Sequence, residues 1–182
     1  MKKLLMILFS LLVMSACSTT KEANSSKAEA RKEKKLLNQE LVKSAIESKR
    51  YIIKFDKMYV NYGGIRILFP RANFLIVDRE RAILSTAYQG RQYDIKTIAA
   101  INIRGKSMDY AVTDNLSKGS YDIKMKVNNT GSNTFDVYVK VSKNGSCTIS
   151  VSSLKIDNVS YSGYLVPIPD TTNPETQLGN PI

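Results

Sequence analysis

The segment Tyr88-Gln89-Gly90-Arg91-Gln92-Tyr93 contains the residue types that best suit a binding site. Gly90 permits a tight bend. The planar guanidinium of Arg91 can bind a carboxylate or a phosphate through two parallel hydrogen bonds, and the rings of Tyr88 and Tyr93 can stack or hydrogen-bond. The alternative is a structural loop, in which Arg91 pairs with a local acid and the tyrosine rings close one end of a barrel. We take Tyr88, Gly90, Arg91 and Tyr93 as candidate ligand or partner contacts.

The composition excludes several kinds of catalytic site. The chain has 182 residues, two of them Cys, and no His. Without His it cannot form a Ser-His-Asp or Cys-His system or a His-containing zinc site. Asp78 and Glu80 alternate with Arg79 and Arg81, which is typical of a solvated turn rather than of an acid-base pair. We therefore expect a non-catalytic protein with no cofactor and no metal site.

The first residues resemble a bacterial lipoprotein signal. Lys2 and Lys3 precede a short apolar run from Leu4 to Val13, and Met14-Ser15-Ala16-Cys17 follows. At about 1.5 Å per residue this run is too short for a hydrocarbon core of about 30 Å, which favours a cleaved signal peptide. The resemblance implies cleavage before Cys17 and acylation of that residue, with Met14 where Leu is usual. The alternative is an ordinary signal peptide with a chance Cys.

The elements that must position any site begin with a tether and a helix. Residues 17–35 are polar and basic, as expected of a flexible tether next to a membrane. Apolar residues then follow at helical spacing, with Leu37, Leu41 and Ala45 forming a stripe that Val42 and Ile46 widen. A stripe this narrow needs a sheet or a barrel mouth to cover it. The pattern predicts one amphipathic helix that starts near Ala28.

From Tyr51 onward the sequence predicts about nine or ten short strands in an antiparallel sandwich or barrel. Its first half is irregular, and Arg104-Gly105-Lys106 is predicted to be a turn between two strands. In its second half, apolar residues alternate with polar ones. A hairpin around Gly131 would then place Tyr121 opposite Val141. The same register would place Asp122 opposite Lys140 and Lys126 opposite Asp136, which are opposite charges.

The next two hairpins can also be aligned. A three-residue loop that places Gly145 at positive φ keeps apolar residues together and pairs Val141 with Cys147. A further hairpin around Ile156 is expected to pair Val151 with Tyr161 and Cys147 with Leu165. Cys147 then lies on the buried face, where an inert thiol is favoured over a reactive one. The domain organisation follows: residues 1–16 signal peptide, 17–35 tether, 36–168 helix and β domain, and 169–182 a disordered tail that contains prolines.

Several segments together resemble a known family. They are the lipobox, the basic tether, Ala45-Ile46-Glu47-Ser48-Lys49-Arg50, the turn at Gly63-Gly64, the segment from Tyr88 to Tyr93, and Ser160-Tyr161-Ser162-Gly163-Tyr164-Leu165. The chain resembles the Bacteroidetes-type lipoproteins catalogued as domain of unknown function 4251, over residues 17 to about 168. In that family the central motif usually begins with Pro, where this chain has Ala87. The resemblance implies a location and a fold but no activity. Asp170-Thr171-Thr172 resembles the O-glycosylation signal of exported proteins of that bacterial group, so Thr171 is a candidate modification site.

These observations predict a lipid-anchored protein of the bacterial cell envelope, at the outer membrane, that binds a small ligand or an envelope protein. The alternative is a structural component of an envelope assembly without a small ligand. The formal net charge is +11, yet the basic residues are spread along the chain, which argues against nucleic-acid binding.

Overall fold

The computed structural model describes residues 19–60, 64–89, 100–115, 117–128 and 134–178. The chain divides into two compact units, Met1–Leu37 and Asn38–Ile182. One helix, nine strands and a short 3-10 helix are present in the described residues. In chain order they are α1 (Thr19–Glu47), β1 (Arg50–Val60), β2 (Gly64–Ile67), β3 (Phe74–Asp78), β4 (Arg81–Ala87), β5 (Ala100–Asn115), β6 (Ser120–Asn128), β7 (Thr134–Ser142), β8 (Ser146–Ser153), β9 (Ile156–Pro167) and the 3-10 helix Pro174–Leu178.

The strands form a closed antiparallel barrel, which confirms the predicted fold class. Their order is β2-β1-β3-β4-β5-β6-β7-β8-β9, and β9 returns to pair with β1. Eight strands, β1 and β3–β9, therefore close the barrel, and β2 is an additional strand. The first half of β1 pairs with β3, and its second half pairs with β2.

Alternating side chains fill the barrel. Its interior includes fully buried large residues from several strands, among them Tyr51, Phe55, Ile123, Ile149 and Tyr161. From α1, Val42, Ala45 and Ile46 belong to the same core cluster. The side-chain amide of Asn38 donates to the carbonyl of Asn144 at 3.1 Å, and the Tyr110 hydroxyl donates to the Ile46 carbonyl at 3.3 Å. The last turns of α1 are thus part of the barrel's hydrophobic core.

The helix differs from the prediction in two respects: the residue at which it begins and the burial of its apolar stripe. It begins at Thr19 rather than near Ala28, because the Ala, Lys and Glu residues of the polar segment are good helix formers. The predicted stripe is covered only in part, since Leu37 is 56% and Leu41 is 49% exposed.

In the second half of the β domain, the predicted strand registers are confirmed for two hairpins and wrong for the third. Tyr121 lies opposite Val141 and Lys126 opposite Asp136, as predicted. Cys147 lies opposite Val141, and Gly145 has a φ of 89°. In the third hairpin Cys147 pairs with Gly163, two residues from the predicted Leu165. The reason is that the chain turns earlier, at 154–155, and the β8–β9 register shifts between Val151 and Ser153.

The predicted turn at Arg104-Gly105-Lys106 is wrong, because β5 runs unbroken through it. Gly105 lies opposite Ala82, and Lys106 pairs with both Arg81 of β4 and Asn128 of β6. The strand thus passes from one partner to the next at this point. Polar residues with a central Gly suggested a turn, but here they form an outward-facing part of a long strand.

The tail is ordered as far as Leu178, whereas the sequence predicts disorder. Residues 179–182 lie outside the described residues. Ile168 packs against Ile52, Ile76 and Ile83 in a second apolar cluster. Glu175 lies 3.0 Å from the guanidinium nitrogens of both Arg81 and Arg104. The prolines account for the lack of a long regular element in the tail, whereas ion pairs and apolar contacts bind it to the strands.

Candidate functional site

The strongest site geometry lies where β5 bulges on the outside of the barrel. The register between β5 and β6 shifts between Met108 and Ala111. Between them, Asp109 has a φ of 53°, a left-handed conformation that is uncommon for a residue with a side chain. Asp tolerates this conformation better than most residues do. Bulges in strands redirect side chains and are frequent beside functional sites, so this bulge marks the surface around Asp109 as a candidate site.

An ion pair forms at the bulge, and a second carboxylate lies on the neighbouring strand. The Lys126 ammonium lies 3.0 Å from Oδ2 of Asp109, and Asp136 lies opposite Lys126 in the β6–β7 register. The hydrogen bond and charge of Asp109 raise the pKa of Lys126 above its usual value. Lys126 therefore presents a positive charge that Asp109 holds at the bulge.

Two adjoining surface clefts contain these charges. The first has a volume of about 430 Å³ and extends across β5–β8, where Lys124, Tyr138, Ser150 and Ser152 add polar groups. The second, about 530 Å³, shares Asp109, Lys126 and Asp136 and extends to the turn at Leu154 and Lys155. Burial raises the pKa of Tyr138, and a hydrogen bond to Asp122 adds to the shift. The combined cleft offers a cation, carboxylates, hydroxyls and one aromatic ring, a set that can bind a polar ligand by hydrogen bonds.

The structure places Tyr88 in the core and not on an open surface. Its exposed fraction is 4%, and it belongs to the main hydrophobic cluster. Nearby, the Tyr161 hydroxyl donates to the carbonyl of Ala87 at 2.9 Å, and its ring stacks on Phe55 with centroids 5.1 Å apart. Burial and the proximity of Tyr88 raise the pKa of Tyr161. Gly90, Arg91 and Tyr93 lie outside the described residues, so the binding role of Arg91 stays a prediction.

The remaining predicted residues are dispersed. Cys17 lies outside the described residues. Thr171 is exposed in the tail, next to Asp170, whose carboxylate accepts a hydrogen bond from Arg50 at 2.8 Å. Cys147 is buried, as predicted, and burial raises the pKa of its thiol to about 12. This thiol is consequently protonated at neutral pH and lacks the thiolate character of a nucleophile.

Sequence reasoning missed the cleft, although part of its signal was present. The opposite charges of Lys126 and Asp136 follow from the predicted register, and the structure confirms that they lie opposite each other. Asp109 was missed because the preceding polar residues resembled a turn, which concealed both the long strand and its bulge. Only the pairing of β5 with two neighbours brings Asp109 to Lys126.

Two other kinds of feature are absent from the described ranges. No group of three or more Cys, Asp or Glu residues there could hold a metal ion. No helix there is long and apolar enough to cross a membrane.

Comparisons with known proteins identify the family. A family model described as "Domain of unknown function (DUF4251)" matches residues 33–165. The fold is similar to the crystal structure of a DUF4251 family protein from Bacteroides eggerthii DSM 20697. The TM-score is 0.61 at 13% identity, and the match covers 72% of this chain and 88% of that one. None of the curated proteins compared with the chain matches it. Because the family model spans most of the sequence, the chain belongs to the DUF4251 family, a domain of unknown function.

Proposed function

We propose that this chain is a lipid-anchored protein of the bacterial cell envelope that binds a polar ligand without catalysis. The observation that carries the binding role is the cleft at the β5 bulge, where the left-handed Asp109 holds the Lys126 ammonium at 3.0 Å. Fixed charges in such a cleft recognise groups that carry hydroxyls or charges of both signs. A non-catalytic role is consistent with the lack of His in the sequence and with the raised pKa of the buried Cys147 thiol.

The proposed anchor depends on the sequence before the described residues. Lys2 and Lys3, the apolar run that follows and the small residues before Cys17 support cleavage and acylation at that residue. Two or three acyl chains such as palmitate would hold the protein stably on a membrane. We propose the outer membrane as its location.

The anchor can be tested by labelling cells with radioactive palmitate. The wild-type chain should incorporate label and sediment with membranes. Cys17→Ser should incorporate none, and should either be released or keep its signal segment. Label on Cys17→Ser equal to that on the wild type would contradict the proposal.

The cleft can be tested by mass spectrometry of small molecules that remain bound to the chain purified from its own membranes. Lys126→Glu should lose them, because it places three acidic groups together. Lys118→Glu makes the same charge change at an exposed turn residue outside the cleft, so it should retain them. Identical bound molecules in wild type and Lys126→Glu would contradict binding at this cleft.

Arg91 is a second candidate contact. If it serves in recognition, Arg91→Ala should abolish co-purification of the ligand or partner and leave the melting temperature nearly unchanged. If the variant instead melts several degrees lower and keeps the same partners, Arg91 has a structural role.

The alternative function is a structural component of an envelope assembly. The observation that favours it is the exposure of Leu36 and Leu37 on α1, at 61% and 56%, since exposed apolar side chains often mark protein contacts. Chemical crosslinking in intact cells would distinguish the two functions. A crosslink lost in Leu36→Ser/Leu37→Ser and kept in Lys126→Glu supports the assembly role.

A further inference from the structure

The hairpin formed by β1 and β2 carries a second surface of interest. These two strands do not line the cleft. Four apolar or aromatic side chains are exposed there: Tyr59 at 38%, Ile65 at 63%, Ile67 at 70% and Phe69 at 82%. We call these four residues the hairpin patch. Exposed apolar groups that cluster in this way commonly mark a surface that contacts a partner or a membrane.

The backbone holds the hairpin patch in place. Tyr59 lies opposite Ile65, and Lys57 lies opposite Ile67, so these side chains share one face of the hairpin. Phe69 lies two residues beyond the end of β2, and its carbonyl accepts hydrogen bonds from the backbone N–H of Ala72 and of Asn73.

Buried neighbours fix the residues on either side of Phe69. Leu68 is buried, and its backbone N–H donates to the Asp56 carbonyl at 2.8 Å. The side-chain amide of buried Asn73 donates to the Phe69 carbonyl at 2.9 Å, and its oxygen accepts from the Ala87 N–H at 2.7 Å. Phe69 is therefore presented by an ordered turn at residues 70–72.

Exposed basic side chains surround the hairpin patch, and the carboxylate beside it, Asp56, is half-buried and accepts a hydrogen bond from Ser162 Oγ at 2.9 Å. Lys57, Arg66 and Arg71 are exposed, and in the described part of the chain none of them lies within 4 Å of a carboxylate. The sequence from Lys57 to Val77 contains no Asp or Glu. By contrast, Arg50, Arg81 and Arg104 on the outside of the barrel are each paired with a carboxylate.

We propose that the hairpin patch docks on an anionic lipid surface. Its aliphatic and aromatic side chains would enter the boundary between headgroups and acyl chains, while the unpaired basic side chains would bind the lipid phosphates. Apolar groups combined with basic residues are the general requirement for binding at a membrane interface. A protein strand or a second copy of this chain could also cover the patch, but three exposed basic side chains without an ion-pair partner favour the lipid surface. The proposal depends neither on the ligand cleft nor on acylation of Cys17.

The lack of Trp in the sequence provides a direct test. The full chain carrying Phe69→Trp would be reconstituted into vesicles of phosphatidylcholine, with or without phosphatidylglycerol, that contain brominated acyl chains. Val112→Trp is the matched control, because Val112 is 42% exposed on β5, outside both the patch and the cleft. In anionic vesicles the indole of Phe69→Trp should shift its emission to shorter wavelength and be quenched, whereas that of Val112→Trp should not.

Charge reversal tests the role of the basic residues. Adding Lys57→Glu or Arg71→Glu to Phe69→Trp should lower the docking equilibrium constant by at least about fivefold, since each substitution removes one basic charge. Lys118→Glu added to Phe69→Trp should leave it unchanged.

Three results would overturn the proposal: no quenching of Phe69→Trp, equal quenching of both Trp variants, or equal quenching of Phe69→Trp with and without phosphatidylglycerol. A blue shift that depends on protein concentration without vesicles would assign the patch to a second copy of the chain instead.

Discussion

The strands β6–β8 and the strands that close the barrel are paired in different ways. The β6–β7 and β7–β8 pairings run without a register shift. The pairings of β5 with β6, of β8 with β9 and of β1 with β9 each contain one shift. The shifted pairings lie on either side of the regular strands or close the barrel, and the length of the connection does not separate the two groups, since only residues 154–155 join β8 to β9.

This difference separates two sources of stability. In β6–β8, alternating side chains bury one face, so the free energy depends mainly on apolar area removed from water. At closure a strand must bend, and bulges and glycines supply the bend. There the free energy depends on how closely two backbones can approach.

The β1–β9 closure should be the most sensitive point in the molecule. Gly163 lies opposite Phe55, where the β1–β9 register shifts. A Cβ at Gly163 would collide with the Lys54 carbonyl oxygen and lie 2.9 Å from its carbon. Because both are backbone atoms, the strands must separate. Gly163→Ala should lower the free energy of unfolding by more than about 4 kcal/mol, or prevent folding, as measured by urea unfolding with circular dichroism.

Gly64→Ala is the matched control, because the nearest atom to its added Cβ is Val60 Cβ at 3.9 Å. It should change the free energy of unfolding by less than about 0.5 kcal/mol. Similar losses in the two variants would show that the close approach at Gly163 is not what limits closure.

The second prediction concerns Arg50, where β1 meets the tail. Its side chain is 5% exposed and lies 3.1 Å from Asp78 and 2.8 Å from Asp170. The contact with Asp78 is ionic, since its orientation does not satisfy a hydrogen bond. Arg50→Gln leaves Asp78 partly buried without a cation, so it should cost about 1–3 kcal/mol of unfolding free energy. Arg81→Gln removes a contact of a side chain that is 60% exposed and should cost under about 1 kcal/mol.

The stability of both variants would be measured by thermal unfolding, with proteolysis of the tail as a second measurement. Faster cleavage after residue 168 in Arg50→Gln than in Arg81→Gln is expected. Equal losses of stability in the two variants would show that the buried ion pairs of Arg50 contribute no more to stability than the exposed ion pair of Arg81.

The same contrast explains what the sequence could predict. The alternation of apolar and polar residues and the loop lengths are local properties. They are enough to predict that Val141 lies opposite Tyr121 on one side and Cys147 on the other. The bulge at Asp109, the early turn before Ile156 and the unbroken strand through Gly105 depend on neighbouring strands, so no local pattern specifies them. The candidate cleft shares this limit: its Lys126–Asp136 pair was predictable from the register, but Asp109 and the exposed hairpin patch required the barrel.

The third prediction concerns pH. The thiol of Cys147 has an ordinary pKa of 9.0, which burial raises to about 12 in the folded protein. Above pH 9 the unfolded chain loses this proton while the folded protein retains it, so stability is complete below pH 9 and falls as the pH rises toward 12. The loss should be about 1 kcal/mol between pH 9 and 10. Burial also raises the pKa of Tyr51 and Tyr161, which adds to the loss at higher pH.

The measurement is the urea midpoint as a function of pH in a Cys17→Ser background. Cys147→Ala should have a smaller slope between pH 9 and 10, whatever its stability at neutral pH. An unchanged slope would assign the alkaline loss to the tyrosines alone.

The smallest expected effect tests whether the bulge or the regular strands determine the partner of Lys126. Cross-strand register places Asp136 opposite it, but the ammonium lies 3.0 Å from Asp109 on the bulge. In double-mutant cycles, Lys126→Met should therefore couple more strongly to Asp109→Asn than to Asp136→Asn. Since these side chains are exposed, the coupling should weaken at 1 M salt. Stronger coupling to Asp136 would mean that the regular register positions this charge even beside a bulge, and Asp109 would then be free to contact a ligand directly.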